Sequence, residues 1–124
     1  MSTELLFLGT SAAIQVPAFF CPCQACEAAR NDAAQRRTPA CAALLGQEVT
    51  LIDAGPDIEA QLEREGIRRI DSIFITHWHW DHIAGLAAFD EPSGIKQWPP
   101  IDLYLPREVV YHIEQDLGYM QHRF

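Results

Sequence analysis

Short apolar runs, each stopped by glycine, proline or acidic residues, alternate along most of this chain. Residues 4–8 form a first apolar run that ends in Gly9-Thr10-Ser11 and reads as a strand. The stretch from there to Pro39 is loop-like, broken by Pro17 and Pro39, with a short helix over 25–34. Residues 42–46 and 49–52 read as two strands joined by a tight turn near Gly46-Gln47, the second ending in Asp53-Ala54-Gly55-Pro56. Ile58 and Leu62 lie one helical turn apart among acidic residues, which predicts a helix over 58–65 stopped by Gly66. Residues 70–76 are a β-branched and aromatic strand, and 82–89 read as a helix. Residues 91–100 are a loop carrying Pro92, Pro99, Pro100 and Gly94. A strand over 101–105 and a helix from Pro106 toward Leu117 complete the pattern. Strands alternate with helices after residue 48, which favours an α/β layered architecture.

Composition narrows the picture. The chain has 124 residues, 48% of them apolar, enough for one modest domain with a real core. It contains no run of about 18 apolar residues, so no membrane-spanning helix is expected. Residues 5–8 are too few for a signal-peptide core and no Lys or Arg precedes them, so a cytoplasmic location is expected. A net charge of −8 argues against non-specific nucleic-acid binding, which depends on neutralising phosphates. A small phosphorylated substrate stays compatible with that charge, because bound cations would reverse the local field.

The densest chemistry lies in His77-Trp78-His79-Trp80-Asp81-His82, directly after the 70–76 strand. Neutral imidazoles and carboxylates are the usual ligands of divalent metals of the zinc, manganese and iron type. In an extended or turning segment the side chains at i and i+2 point the same way, so His77 and His79 can grip one ion together. Asp81 and His82 lie further along the turn and can reach a second ion about 3.5–4 Å away, the spacing of many two-metal hydrolases. A lone histidine in a strand is usually packed or solvated; four ligand-type residues at this spacing are not explained that way. Trp78 and Trp80 alternate with the ligands and are expected to pack on the opposite side as core aromatics.

A second cluster is Cys21-Pro22-Cys23-Gln24-Ala25-Cys26. In a cytoplasmic chain this spacing more often marks a metal site than a disulfide. Three thiolates leave one tetrahedral position, and no neighbouring residue obviously fills it. Cys41 is the local candidate, but its apolar surroundings read as a buried strand. The alternative is a set of reduced thiols in a loop.

The elements Leu51-Ile52-Asp53-Ala54-Gly55 and Thr76 to His82 resemble the metallo-β-lactamase superfamily. The front of the chain is similar to the phosphoribosyl 1,2-cyclic phosphate phosphodiesterase (PhnP) family. The residues that carry this likeness are Gly9-Thr10-Ser11-Ala12, Val16-Pro17-Ala18, the three cysteines and Arg36-Arg37-Thr38-Pro39-Ala40-Cys41. The resemblance implies an α/β fold, the N-terminal half of a metallo-β-lactamase αββα sandwich, as a single incomplete domain over 1–124 with a zinc-binding loop at about 17–41. It implies two divalent metals, zinc or manganese, one on His77 and His79 and the other on Asp81 and His82, with Asp81 a ligand rather than a general base. It implies a structural zinc on Cys21, Cys23 and Cys26. Asp53 would accept a hydrogen bond from a ligand histidine and fix its tautomer. The implied activity is hydrolysis of a small cyclic phosphate by water activated between the two ions. A homodimer is compatible with the full-length form.

The chain departs from that family in length, since members usually run to about 200 residues or more. The family's third histidine on the first metal, its bridging aspartate, its last histidine and the fourth ligand of the cysteine site come from a C-terminal half. His112 and His122, the other histidines, fall in or after a helix without ligand neighbours. A fragment is therefore expected, with an exposed apolar sheet face, weakly held ions and little activity of its own. Competing functions are a tRNA 3′-processing ribonuclease, a lactonase, a thioesterase, or a non-catalytic accessory protein like that of quinone-cofactor biosynthesis (PqqB). A purely structural zinc module held by the cysteines alone is a further reading.

Overall fold

The five strands lie side by side in chain order. The structure is a computed structural model that describes residues 2–89 and 99–116. Strand β1 (Glu4–Gly9) pairs antiparallel with β2 (Cys41–Leu45), which pairs antiparallel with β3 (Val49–Ile52). Strands β4 (Ser72–Phe74) and β5 (Asp102–Tyr104) then add in parallel. The β2–β3 pair is the hairpin that the sequence predicts. Parallel addition of β4 needs a crossover, supplied by helix α2 (Ile58–Glu65). That helix has the bounds its periodicity predicts. Gly66 ends it in the left-handed region at φ 67°, a conformation that glycine adopts without Cβ penalty.

Helix α1 (Gln24–Asn31) is shorter than the 25–34 reading, because Asp32 turns the chain into a separate 3₁₀ turn, Ala33–Gln35. Helix α3 (Trp80–Ile83) begins before residue 82 and runs into a 3₁₀ segment, Ala84–Phe89. Helix α4 spans Arg107–Asp116, just after Pro106. The 70–76 strand is trimmed to β4 because past Ile75 the backbone leaves the ladder: the Thr76 N–H donates to the Asp53 side chain instead. Most of the 91–100 loop, Leu117 and His122 lie outside the described residues.

Period-two alternation gives the sheet two unlike faces. One carries Leu8, Ala43, Leu51 and Ile73 into a core with Ile58 and Leu62 of α2, Leu86 and Phe89 of the 3₁₀ segment and Val109 of α4. On the other, cross-strand register aligns Phe7, Ala42, Ile52, Phe74 and Tyr104 in one row over all five strands. Phe7 is 66% exposed on that face, and the Phe74 and Tyr104 rings stack on each other, both open to solvent. Among the described residues no element covers this row, so the apolar face expected from the sequence is open there. No helix among the described residues is long and apolar enough to cross a membrane.

Candidate metal centre

The end of β3 and the end of β4 meet to build the first site. Asp53 follows β3 with φ 65°, a left-handed conformation that aspartate tolerates better than most side chains. Its N–H donates to the Phe74 carbonyl at 2.8 Å, which pins it beside β4. Its side chain, 8% exposed, then becomes a hub. Oδ1 accepts the Thr76 N–H at 2.8 Å, and the Thr76 hydroxyl lies 3.0 Å from Oδ1 and 2.8 Å from Oδ2. His82 Nδ1 lies 2.7 Å from Oδ2.

Two glycines let α3 come this close. A Cβ on Gly85 would fall 2.0 Å from the Gly55 carbonyl, and one on Gly55 would fall 2.5 Å from the Asp81 carbonyl. Both obstacles are backbone, which cannot rotate away. In their bare state the Ala54 N–H donates to the His82 carbonyl at 2.9 Å, and the Gly85 N–H to the Ala54 carbonyl at 2.8 Å. The Asp-Ala-Gly strand end and the histidine string are thus stitched together along the backbone.

The string itself converges. The His77 ring lies 4.6 Å from that of His79 and 4.0 Å from that of His82, centroid to centroid. His82 Nδ1 faces an acceptor carboxylate, so in the neutral ring this nitrogen carries the proton and Nε2 presents its lone pair. That nitrogen sits 3.1 Å from Asp81 Oδ2. Two acceptors at this distance repel unless something positive lies between them, a proton or a metal ion. The donor set, three imidazoles and a carboxylate, fits divalent zinc or manganese. Among the described residues, only the cysteine trio has all its ligand atoms within 4.8 Å of one another, so the donors of the string do not form one such group.

The tryptophans are a correction. Trp78 is 46% and Trp80 63% exposed, so neither is a core aromatic. The string does not stay extended: α3 starts at Trp80 and turns its indole outward. Trp78 instead stacks on His112 of α4 at 4.4 Å and meets the His79 ring edge-on at 5.0 Å. His112 therefore lies behind the string, on the indole rather than among the ligand atoms. Thr76 is the site residue that sequence reasoning missed as a participant; its signal was a hydroxyl between an apolar strand and the first histidine.

The cysteine cluster is a second candidate centre. Its loop is closed at the neck by two backbone hydrogen bonds between Val16 and Arg37, each 2.9 Å. The Arg30 side chain donates to the Cys21 carbonyl at 2.7 Å and the Ala18 carbonyl at 2.9 Å, which fixes the loop to α1. Cys23 caps α1 with its sulfur toward the Cys26 N–H at 3.5 Å. That N–H, with the Cys21 thiol, lowers the Cys23 thiol to about 7. The Ala18 N–H on the Cys26 sulfur works in the same direction, but burial and the neighbouring thiols hold Cys26 above the ordinary thiol value. Three sulfurs this close, one of them readily ionised, fit a thiolate-rich zinc site. Cys41 stays apart: buried, with its thiol 3.1 Å from the Asp53 carbonyl, it is pushed up to about 12 chiefly by burial.

Residues 41–112, more than half of the chain, match the family description "Metallo-beta-lactamase superfamily". The chain belongs to the metallo-β-lactamase superfamily. It is 36% identical over 94 residues to a ribonuclease Z of Pyrococcus furiosus, a match that covers 74% of this chain and 25% of that protein. Among solved structures, a diphosphatase of the PhnP family superposes with a TM-score of 0.82 at 30% identity, over 94% of this chain and 46% of the other. Zinc-bound PqqB from Methylobacterium extorquens superposes with a TM-score of 0.77 over 93% of this chain and 40% of the other. At 23% identity that last likeness concerns the fold alone. The chain spans about a quarter of the curated relative and less than half of each structure.

Proposed function

We propose that this superfamily domain belongs to a metal-dependent hydrolase that acts as a phosphodiesterase on a small cyclic phosphate, such as a phosphoribosyl 1,2-cyclic phosphate. The observation that carries the reading is the convergence of the His79 and His82 rings on that of His77, 4.6 and 4.0 Å away centroid to centroid, with the Asp81 carboxylate 3.1 Å from His82 Nε2. His77 and His79 would hold one divalent ion, and Asp81 and His82 the other; Cys21, Cys23 and Cys26 would hold a structural zinc. When bound, the pair supplies Lewis acidity and a water acidified to a pKa of about 7.

The chain's own residues do the rest. Asp53 keeps a proton on His82 Nδ1, so that ring cannot turn its other nitrogen away. Asp81, committed as a ligand, is a poor proton acceptor and serves to place charge. Trp78 stacks on His112 and meets the His79 ring edge-on, which braces the string from the α4 side. Similarity to a PhnP-family diphosphatase, together with the cysteine trio, supports a small phosphate ester over a thioester or lactone.

A second reading, tRNA 3′ processing, is favoured by the 36% identity to a ribonuclease Z. The net charge of −8 weighs against it, because RNA binding needs cationic surface. Two donors per ion hold metal weakly, so these 124 residues alone are expected to turn over slowly.

The test is metal content after chelation and zinc loading, in wild type and in His77→Ala/His79→Ala. More than one zinc per chain in wild type at saturating zinc, falling in the variant, supports the reading; equal content in both even at saturation means that only the cysteine trio loads, and sinks the string as a metal site of these residues. Loaded protein is then offered a ribose cyclic phosphodiester and a 3′-extended tRNA side by side. Preference for the tRNA would replace the first reading by the second.

A further inference from the structure

The structure assigns a positioning role to Thr76: its hydroxyl ties the His77 imidazole to the carboxylate that also holds His82, so that Asp53 sets the tautomer of both histidines. The chain of contacts runs from His77 Nδ1 to Thr76 Oγ1 at 2.9 Å and from Thr76 Oγ1 to both oxygens of Asp53 at 3.0 and 2.8 Å. On the far side His82 Nδ1 meets Asp53 Oδ2 at 2.7 Å.

Donor arithmetic fixes the direction. A carboxylate offers only acceptors, so the single hydroxyl proton of Thr76 points to Asp53. The hydroxyl oxygen then has lone pairs left for His77, and Nδ1 must bring the proton. His77 is therefore the Nδ1–H tautomer, with Nε2 bare. His82 reaches the same state directly from Asp53. The buried side chain of Asp53 is held in turn by the Thr76 N–H at 2.8 Å, so the hub does not depend on the hydroxyl for its place. Two histidines assigned to different ions are thereby oriented by one aspartate, one directly and one through a threonine.

This inference does not need a bound metal, although its use in the protein rests on the reading above. It is tested first on metal-free protein by ¹⁵N NMR of the imidazoles at about pH 8, above the ordinary histidine pKa of about 6.5. Wild type is expected to show His77 and His82 both protonated at Nδ1 and bare at Nε2. Thr76→Ser keeps the hydroxyl and should keep the pattern. Thr76→Val should release His77 to a mixture of tautomers while His82 stays as it was. Wild-type His77 protonated at Nε2, or an unchanged His77 in folded Thr76→Val, would overturn the proposal. Should Thr76→Val not fold, the wild-type and Thr76→Ser spectra still decide.

Zinc titration gives the consequence: affinity at the string is expected to fall about 10–100-fold in Thr76→Val and to recover in Thr76→Ser. Correct tautomers in a chain whose string takes up no zinc would sink the metal reading and support this one. Thr76→Val binding as tightly as wild type would overturn it.

Discussion

Asp53 is the residue on which the histidine string depends most, since its carboxylate meets both Thr76 and His82. Asp53→Asn replaces one acceptor oxygen by an NH₂, which cannot receive the His82 Nδ1–H. Zinc affinity at the string, measured by competition with a chromogenic chelator, is expected to drop about 10–100-fold. The cysteine trio should bind as before, because it shares no contact with Asp53. Cys41 makes the opposite kind of prediction. Burial and the Asp53 charge push its thiol up to about 12, so it stays neutral across the working pH range. Only a thiolate attacks iodoacetamide at a useful rate. Metal-stripped folded protein is therefore expected to label first at the exposed Cys23, whose thiol is lowered to about 7, with Cys41 reacting only after denaturation. Rapid native labelling of Cys41, read by peptide mass spectrometry, would contradict the buried-thiol account.

At the scale of elements, the close seating of α3 on the β3 end is what brings ligands together. Gly85→Ala would drive a methyl into the Gly55 carbonyl, and overpacking of this kind costs about 1–3 kcal/mol. The expected result is a lower denaturant midpoint together with loss of the His82–Asp53 contact, visible as a changed His82 imidazole signal. Asp71 joins two strands more quietly. The Val49 N–H, with Arg69 beside it, holds the Asp71 carboxyl below the ordinary value of 3.8. A depressed carboxylate pKa adds stability above the unfolded value and loses it as pH falls through the folded one. Urea melts of wild type and Asp71→Ala should thus differ at neutral pH and converge in strong acid.

Much of this was legible in the sequence. The period of Ile58 and Leu62 with a terminal Gly66 sets α2 to the residue, and the hairpin turn fixes β2 against β3. The His-x-His-x-Asp-His spacing and the cysteine trio mark the two candidate centres. What escaped was tertiary. Nothing local says that Thr76 leaves the ladder for a side chain 23 positions earlier, or that the string turns helical at Trp80. Periodicity alone therefore placed both tryptophans inside, where the turn puts them outside.

Across the described residues as a whole, the sheet is covered on one face and bare on the other. Helices α2 and α4 and the 3₁₀ segment bury Leu51, Ile73 and Leu86 completely. The Phe7, Ala42, Ile52, Phe74 and Tyr104 row has no layer above it among the described residues. Contiguous apolar surface of this kind is rare on soluble monomers and drives association, because each Å² removed from water yields about 25 cal/mol. The 124-residue chain is accordingly expected to self-associate through this face and to bind a hydrophobic dye such as ANS. Phe7→Lys together with Phe74→Lys should abolish both effects. It should leave the helical circular dichroism unchanged, because neither ring enters the core that α2 and α4 cover. Sedimentation velocity reads the association directly. A wild-type chain that stays monomeric at high concentration and ignores the dye would mean that this face is shielded in solution by residues outside the described ones. A double variant that associates as before would move the contact elsewhere, with the exposed Phe19 and Phe20 pair beside the cysteine loop the next surface to change.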